Sequence, residues 1–339
     1  MGARNSEDRL IDWLRREIAR RGLPDLLGGD VAQLTLAGDW AVSADQQLES
    51  VHFPAGLPAN RIGRRLVGVN LSDLAAAGAE PRYAIATLAA PTGFDHRSFF
   101  EGLLDAGQEF GLALAGGDLA RSSQIHATLT VFGRRRSRGR FLRRDLARAG
   151  DTLWLGGTVG ESAIGRLFLA RGATATAKTL RLPASPKVPR GLRSAARSAI
   201  SRHLEPEPQL ALGAWLSTRK RAAAIDVSDG VLLDLERMAR ESRVRCELDA
   251  TALPLSAGFR ELARLLGQDP VPLALTGGED YVLLFALPEQ VRPPASYRAV
   301  PVGRVTAEVG NRLDATVRLL GATLPVGLSK GWDHLGRSV

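Results

Sequence analysis

The chain has 339 residues, 45% of them hydrophobic and 24% charged, with a formal net charge of +9. That length suits two domains of ordinary size, and the composition is that of a globular chain, not a disordered or fibrous one. No apolar run reaches the 18 residues that a membrane-spanning helix needs, which speaks against a membrane partner.

The positive charge is unevenly distributed. Only four of the 45 basic residues are lysine, and much of the arginine sits in 133 to 150 and 178 to 203. A basic stretch can bind nucleic acid through phosphates, but aromatic residues make up 5% and no nucleic-acid motif accompanies the charge. The arginines read as decoration of solvated linkers, and a positive field would also favour a phosphorylated small substrate. The single cysteine, Cys246, excludes an internal disulfide and fits the cytoplasm. The five histidines, at 52, 96, 126, 203 and 334, show no metal-ligand spacing.

In chain order, residues 8 to 21 predict an amphipathic helix with Leu10, Trp13, Leu14 and Ile18 on one face. Residues 26 to 53 predict two strands around a Gly-Asp turn at 38 and 39, then a loop carrying Asp45. Residues 60 to 91 predict helix, helix, strand; 97 to 113 a helix; 112 to 134 a strand, a polar glycine turn and a strand. A boundary near 145 would divide a unit of 1–145 from one of 146–339. Beyond it, 149 to 162 predicts a strand and a helix start, and 172 to 200 a mobile insertion. Helices at 208 to 219, 230 to 242 and 257 to 266 alternate with a strand and turn in "AAAIDVSDG" (222 to 230) and a strand at 244 to 249. Residues 273 to 288 predict strand, acidic turn, strand, and a last strand follows near 300. Strands and helices mixed in this way favour α/β and α+β architecture over a doubly wound sheet.

Five acidic clusters are built alike, each beside Gly, Ser or Asn near the end of a predicted element. They are "GGD" at 28 to 30, "SAD" at 43 to 45, "NLSD" at 70 to 73, "GGD" at 116 to 118 and "DVSD" at 226 to 229. Each alone is explained by turns and helix caps. Together they suggest carboxylates that need a cation, because grouped carboxylates repel one another. Mg²⁺ takes oxygen ligands and bridges carboxylates to substrate phosphates. The adjoining glycines let backbone N–H groups approach phosphate oxygens. No Walker A loop or kinase catalytic-loop pattern competes with this reading.

The runs "SVHF", "VNLSDLAAAGAEPRYAIATLA", "AGGDLARS", "AGDTLWLGGTVGESAIG", "AAIDVSDGVLLDL", "LTGGEDYVLLF" and "GWDHL" together resemble the thiamine-monophosphate kinase family. They fall in family order and span roughly residues 26 to 335. The wider superfamily resembled is that of aminoimidazole ribonucleotide synthetase. The resemblance implies an N-terminal ATP- and metal-binding α/β domain that dimerises through its sheet, and a C-terminal α+β domain. It implies transfer of the ATP γ-phosphoryl group to thiamine monophosphate, with Mg²⁺.

Position by position, the resemblance assigns Asp30, Asp45, Asp73, Asp118, Asp226 and Asp229 to metal. It places Gly117, Asp118, Arg121, Ser228 and Asp229 at the nucleotide, and His52, Phe53, Glu279, Asp280 and Trp332 on the substrate side. Asp118, Asp226 and Arg121 would carry the chemistry. Departures from the family pattern remove polar groups: Gly29 for an aspartate, Leu119 and Ala120 for two hydroxyl residues, and Gln209 for an arginine. Two alternatives stay open on the same fold. One is a non-catalytic thiamine-phosphate or nucleotide binder; the other is a related ATP-dependent enzyme with another small acceptor.

Overall fold

A computed structural model describes residues 6–27 and 31–332. Gly29, Asp30 and His334 lie outside the described residues. The chain begins with α1 (Ser6–Arg20) and reaches its first sheet at β1 (Trp40–Leu48), followed by α2 (Ala59–Ala76), β2 (Glu80–Ala90), α3 (His96–Phe110), β3 (Ala113–Arg121) and β4 (His126–Arg134). The strand order is β1-β4-β2-β3. β2 and β3 run parallel, joined through α3, as a parallel pair requires of its crossover.

Helices cover one face of this sheet. Ala127, Leu129 and Val131 of β4, with Ala84, Ala86 and Leu88 of β2, alternate along their strands and are buried. The opposite face is lightly covered. Val42 is 57% exposed there, Thr87 is exposed, and Trp40 stacks on Tyr83 with centroids 6.0 Å apart.

After the arginine-rich run come β5 (Asp151–Leu155), α4 (Glu161–Ala170), a two-strand ribbon β6 (Thr174–Ala175) and β7 (Leu180–Arg181), α5 (Arg193–Leu204) and α6 (Leu210–Ser217). Then follow β8 (Ala223–Asp226), α7 (Val231–Ser242), β9 (Val244–Asp249), α8 (Phe259–Leu265), α9 (Pro270–Thr276), β10 (Leu283–Pro288), β11 (Val300–Glu308) and β12 (Thr316–Leu320). These strands form a second sheet, β12-β9-β11-β5-β10-β8. Its centre is covered on both faces. Leu284 and Ala286 of β10 enter the main core, while Leu283, Phe285 and Leu287 enter a separate cluster with Leu212 and Leu216 of α6 and Ala75 of α2. Such two-sided burial is why this strand reads as a continuous apolar run. Cys246, in β9, is buried, and burial pushes its thiol up to about 12.

α2 links the two sheets. It is buried nearly all round, with Ile62, Leu66, Val67, Leu71 and Leu74 in the core, which is the pattern of a helix enclosed by protein. No helix among the described residues is long and apolar enough to cross a membrane.

Several elements differ from the sequence expectation. Asp45 lies inside β1, not in a loop, and residues 31–39 form no strand before it. Residues 59–76 form one helix, with Asp73 within it. The second "GGD" lies within β3, because edge pairing with β2 keeps these glycines extended. Residues 270–276 are helical, started by Pro270 at N1 and by the Asp269 carboxylate accepting from Val271 N. The 172–200 segment carries the β6–β7 ribbon and the start of α5, and it buries Ala173, Val188 and Ala196. The closing strand β12 has no counterpart among the predicted elements; its exposed alternation is a weak signal.

Candidate active site between the two sheets

Four carboxylates from distant parts of the chain meet where α2 touches β8. Asp45 is supplied by β1, Asp73 by α2, Asp226 by the end of β8, and Asp229 by the turn into α7. Ser72 Oγ donates to Asp226 Oδ2 at 2.7 Å, across 154 residues of sequence. Ser43 donates its hydroxyl to Asp73 Oδ2. Asn70 accepts Asp45 N at 2.8 Å and donates to Leu66 O at 2.8 Å, so the free edge of β1 is fastened to α2.

The electrostatics are those of a crowded anionic site. Burial, then the charge of Asp73, pushes Asp226 up to about 8, against the opposing Ser72 hydroxyl. Burial, then Asp73 and Asp229, pushes Asp45 up to about 7. Asp73 is itself raised by burial, with the Ser43 hydroxyl and the Arg144 charge working against the rise. Mutual repulsion at this density is relieved by a cation. Among the described residues, no three His, Cys, Asp or Glu side chains converge as a preformed metal cage. Mg²⁺ keeps waters and takes protein carboxylates together with phosphate oxygens. The donor set is all oxygen and fits.

The 226–230 turn is held by its own helix. Asp234, fully buried, accepts the backbone N–H of Asp229 at 3.0 Å and of Gly230 at 3.1 Å through one oxygen. Burial, then the charge of Asp229, pushes Asp234 up to about 6. Two glycines permit other segments to touch the turn. Gly278 has φ +67°, and a Cβ there would stand 2.8 Å from Ser228 O. A Cβ on Gly331 would stand 2.5 Å from Asp229 O, and the next residue, Trp332, donates its backbone N–H to that carbonyl at 2.9 Å. Trp332 is 45% exposed.

The substrate-side residues divide into two kinds. Glu279 N donates to Ser228 O at 2.6 Å, and Glu279 and Tyr281 both have left-handed φ, 56° and 52°. The Glu279 carboxylate pairs with Arg65 of α2 and lies 3.4 Å from His203 Nδ1. Arg65 is fully buried; it also donates to Gln47 Oε1 at 2.8 Å and to the His203 carbonyl. Burial, with the Arg65 charge adding to it, lowers His203 to about 3, and Ser162 Oγ is 3.0 Å from its ring. Asp280 caps α4: it accepts Gly160 N at 2.7 Å and Ser162 N at 3.3 Å, and burial pushes it up to about 7. Phe53 is a core side chain, 3% exposed, and His52 accepts Leu48 N at 3.0 Å through Nδ1. Gln209, where the family resemblance expects arginine, bridges Gly156 O and Leu283 N at 2.8 Å each.

The second "GGD" stands apart. Asp45, Leu129, Ala86 and Gly117 share a cross-strand row on the helix-covered face. Asp118 belongs to the next row, with Thr87, Thr128 and Gln46, on the open face. Three strand spacings, roughly 14 Å, separate it from Asp45. Asp118 and Arg121 are exposed. Two arginines that composition alone would leave among the solvated charges instead face the cluster: Arg144, whose charge acts on Asp73, and Arg237, ion-paired with Asp229 at 2.5 Å.

Comparison with known proteins bears on the family and the fold. Residues 28–134 match the family described as AIR synthase related protein, N-terminal domain. The chain is 34% identical over 309 residues to the thiamine-monophosphate kinase of Rhodopirellula baltica, covering 89% of this chain and 81% of that one. The solved thiamine-monophosphate kinase of Stenotrophomonas maltophilia K279a superposes with a TM-score of 0.76 at 33% identity, over 93% of this chain and 97% of that one. The solved structure of AaThiL complexed with AMPPCP and TMP gives 0.74 at 27% identity, over 98% and 99%. With a buried carboxylate cluster at the junction of two such sheets and this degree of identity along nearly its whole length, the chain belongs to the thiamine-monophosphate kinase family.

Proposed function

We propose that this chain transfers the γ-phosphoryl group of ATP to the phosphate of thiamine monophosphate, giving thiamine diphosphate and ADP. The observation that carries the reading is the meeting of Asp45 and Asp73 with Asp226 and Asp229, in a relative of kinases that perform this reaction. Bound Mg²⁺ would neutralise the transferring phosphoryl oxygens. Asp45, Asp73, Asp226 and Asp229 are the residues of one chain that would hold it, with Asp30 as a further ligand and Asp118 as a ligand for the partner protomer. The acceptor is a phosphate oxygen, already anionic, so no side chain need remove a proton. The protein's work is then positioning and charge balance. Arg144 and Arg237 offer guanidinium groups to phosphate oxygens. The Arg65–Glu279 pair shapes the turn on the substrate side, and the exposed Trp332 ring is suited to stacking on a cationic heterocycle.

The two sheets would belong to two domains meeting near residue 145. The open face of the first sheet, with Val42, Ile85 and Phe132, would form a homodimer interface. Asp118 lies on that same face, so it would serve the site of the partner protomer; Arg121, in register with Ala90, falls on the helix-covered face. Cytoplasmic residence is the natural setting for such an enzyme. An assay with ATP, Mg²⁺ and thiamine monophosphate, following thiamine diphosphate, tests the reading: magnesium-dependent product is expected, and its absence with folded protein ends the proposal.

A further inference from the structure

Arg237 lies three residues after Asp234 on α7 and bridges two carboxylates through Nη1, Asp229 Oδ2 at 2.5 Å and Asp234 Oδ1 at 2.6 Å. The two partners are unlike. Asp234 is fully buried and committed, its other oxygen holding two backbone N–H groups. Asp229 belongs to the carboxylate cluster, its charge acting on Asp45. The guanidinium therefore has a fixed tether on one side and, on the other, a carboxylate with a second use.

The same side chain borders a cavity of about 540 Å³ that is also lined by Arg143, Arg144 and Arg240. The cavity's two acidic liners are already matched: Asp145 with Arg143 at 2.5 Å, and Glu241 with Arg312 at 2.9 Å. With Arg143 matched to Asp145, Arg144 and Arg240 stand beside Arg237 on the flank of the site, a setting that suits an anion and repels a cation.

We infer that Arg237 is a built-in counter-ion that competes with divalent metal for the Asp229 carboxylate and, when displaced, turns toward phosphate oxygens at the arginine-lined cavity. The inference rests on Asp229 as a metal ligand. A guanidinium and a divalent cation held at the one Asp229 carboxylate repel each other and compete for its lone pairs, so each weakens the hold of the other. The Asp234 tether keeps the displaced group within reach, since an i,i+3 pair on one helix face survives the exchange. Metal alone must then oppose the ion pair, whereas metal arriving with nucleotide provides the released arginine with a new anionic partner. Metal and nucleotide would bind cooperatively, and the nucleotide-free enzyme would hold metal weakly.

The test is a Mn²⁺ titration of the full-length protein, free Mn²⁺ being read by electron paramagnetic resonance, with and without a non-hydrolysable ATP analogue. Arg237→Gln is expected to tighten Mn²⁺ binding without nucleotide about tenfold, or about 1.4 kcal/mol. With the analogue present, the gain should fall below about threefold, because the wild-type arginine has by then left Asp229. Unchanged or weaker binding in Arg237→Gln, while Asp229→Asn still weakens Mn²⁺ at least tenfold, would overturn the counter-ion role and leave the metal site standing. Wild-type affinity in Asp229→Asn would instead sink the metal assignment itself. If circular dichroism shows Arg237→Gln unfolded, Arg237→Lys carries the test. The lysine ammonium stands one bond short of the reach of Nη1, so it holds Asp229 less closely; a tightening of a few fold is expected, and wild-type affinity overturns the inference.

Discussion

Ser72 and Asp226 are hydrogen-bonded at 2.7 Å although α2 and β8 belong to different halves of the chain, and this bond joins the two parts of the carboxylate cluster. Replacing Ser72 by Ala removes the hydroxyl that opposes the rise at Asp226, so its carboxyl should titrate still higher. A buried acceptor left without its donor costs about 1–3 kcal/mol. The expected result is a loss of stability in that range in urea unfolding, with an alkaline shift in the pH dependence of metal-free stability as the second sign. A pH profile identical to wild type would mean that Ser72 is only a packing residue.

Stability of the metal-free protein should fall as pH rises. Asp45, at about 7, and Asp226, at about 8, hold their protons far above the ordinary carboxylate range. The folded state therefore binds more protons than the unfolded state between about pH 4 and 8, and the sign of the linkage makes stability decline across that window. Thermal unfolding in EDTA should show a melting temperature that drops between about pH 5 and 8. Mg²⁺ should flatten the slope by neutralising the charged form. An EDTA curve that rises with pH over this range would contradict the buried cluster.

Arg65 is the cation whose loss should cost most. It is fully buried and serves Gln47, the His203 carbonyl and Glu279 together. Arg65→Met leaves the Glu279 carboxylate without its arginine, and breaking a buried pair in this way costs about 3–5 kcal/mol. Denaturant midpoints should show Arg65→Met far less stable than Glu279→Gln, which keeps the shape and a hydrogen-bonding oxygen. Equal midpoints would remove the pair from its structural role.

Mixing two inactive variants tests whether Asp118 acts across a dimer. Asp118 stands on the open face of its sheet, roughly 14 Å from Asp45. If it serves the partner, Asp118→Ala and Asp226→Asn homodimers should each be inactive. Exchanged heterodimers would regain one intact site, giving about a quarter of wild-type rate in an equal mixture. No recovery after verified subunit exchange would place Asp118 in the site of its own chain.

Much of the site is legible in the sequence, for reasons that can be named. The "DVSD" turn is legible because an apolar strand and an amphipathic helix flank it, which puts Asp226 and Asp229 at a strand end. Asp45 and Asp73 are legible as residues but not as elements: local composition suggests a loop and a turn, and tertiary pairing makes a strand and a buried helix of them. Asp118 groups with the others by composition, yet the row it joins depends on β3 pairing with β2, and a one-residue change of row changes the face. Arg144 and Arg237 are hidden by abundance. In a chain where nearly every basic residue is arginine, spacing alone does not mark the ones whose charge reaches the carboxylate cluster.

Cys246 offers a use of its own. It is the sole thiol of the chain, sealed in β9, and its ionisation is pushed far toward the alkaline side. Thiolate, not thiol, reacts with disulfide reagents, so labelling should be silent in the closed protein and should count each opening of the second sheet. The molecule thus carries its own clock for local unfolding, one that needs no engineered probe and that ligands stabilising the cleft should slow.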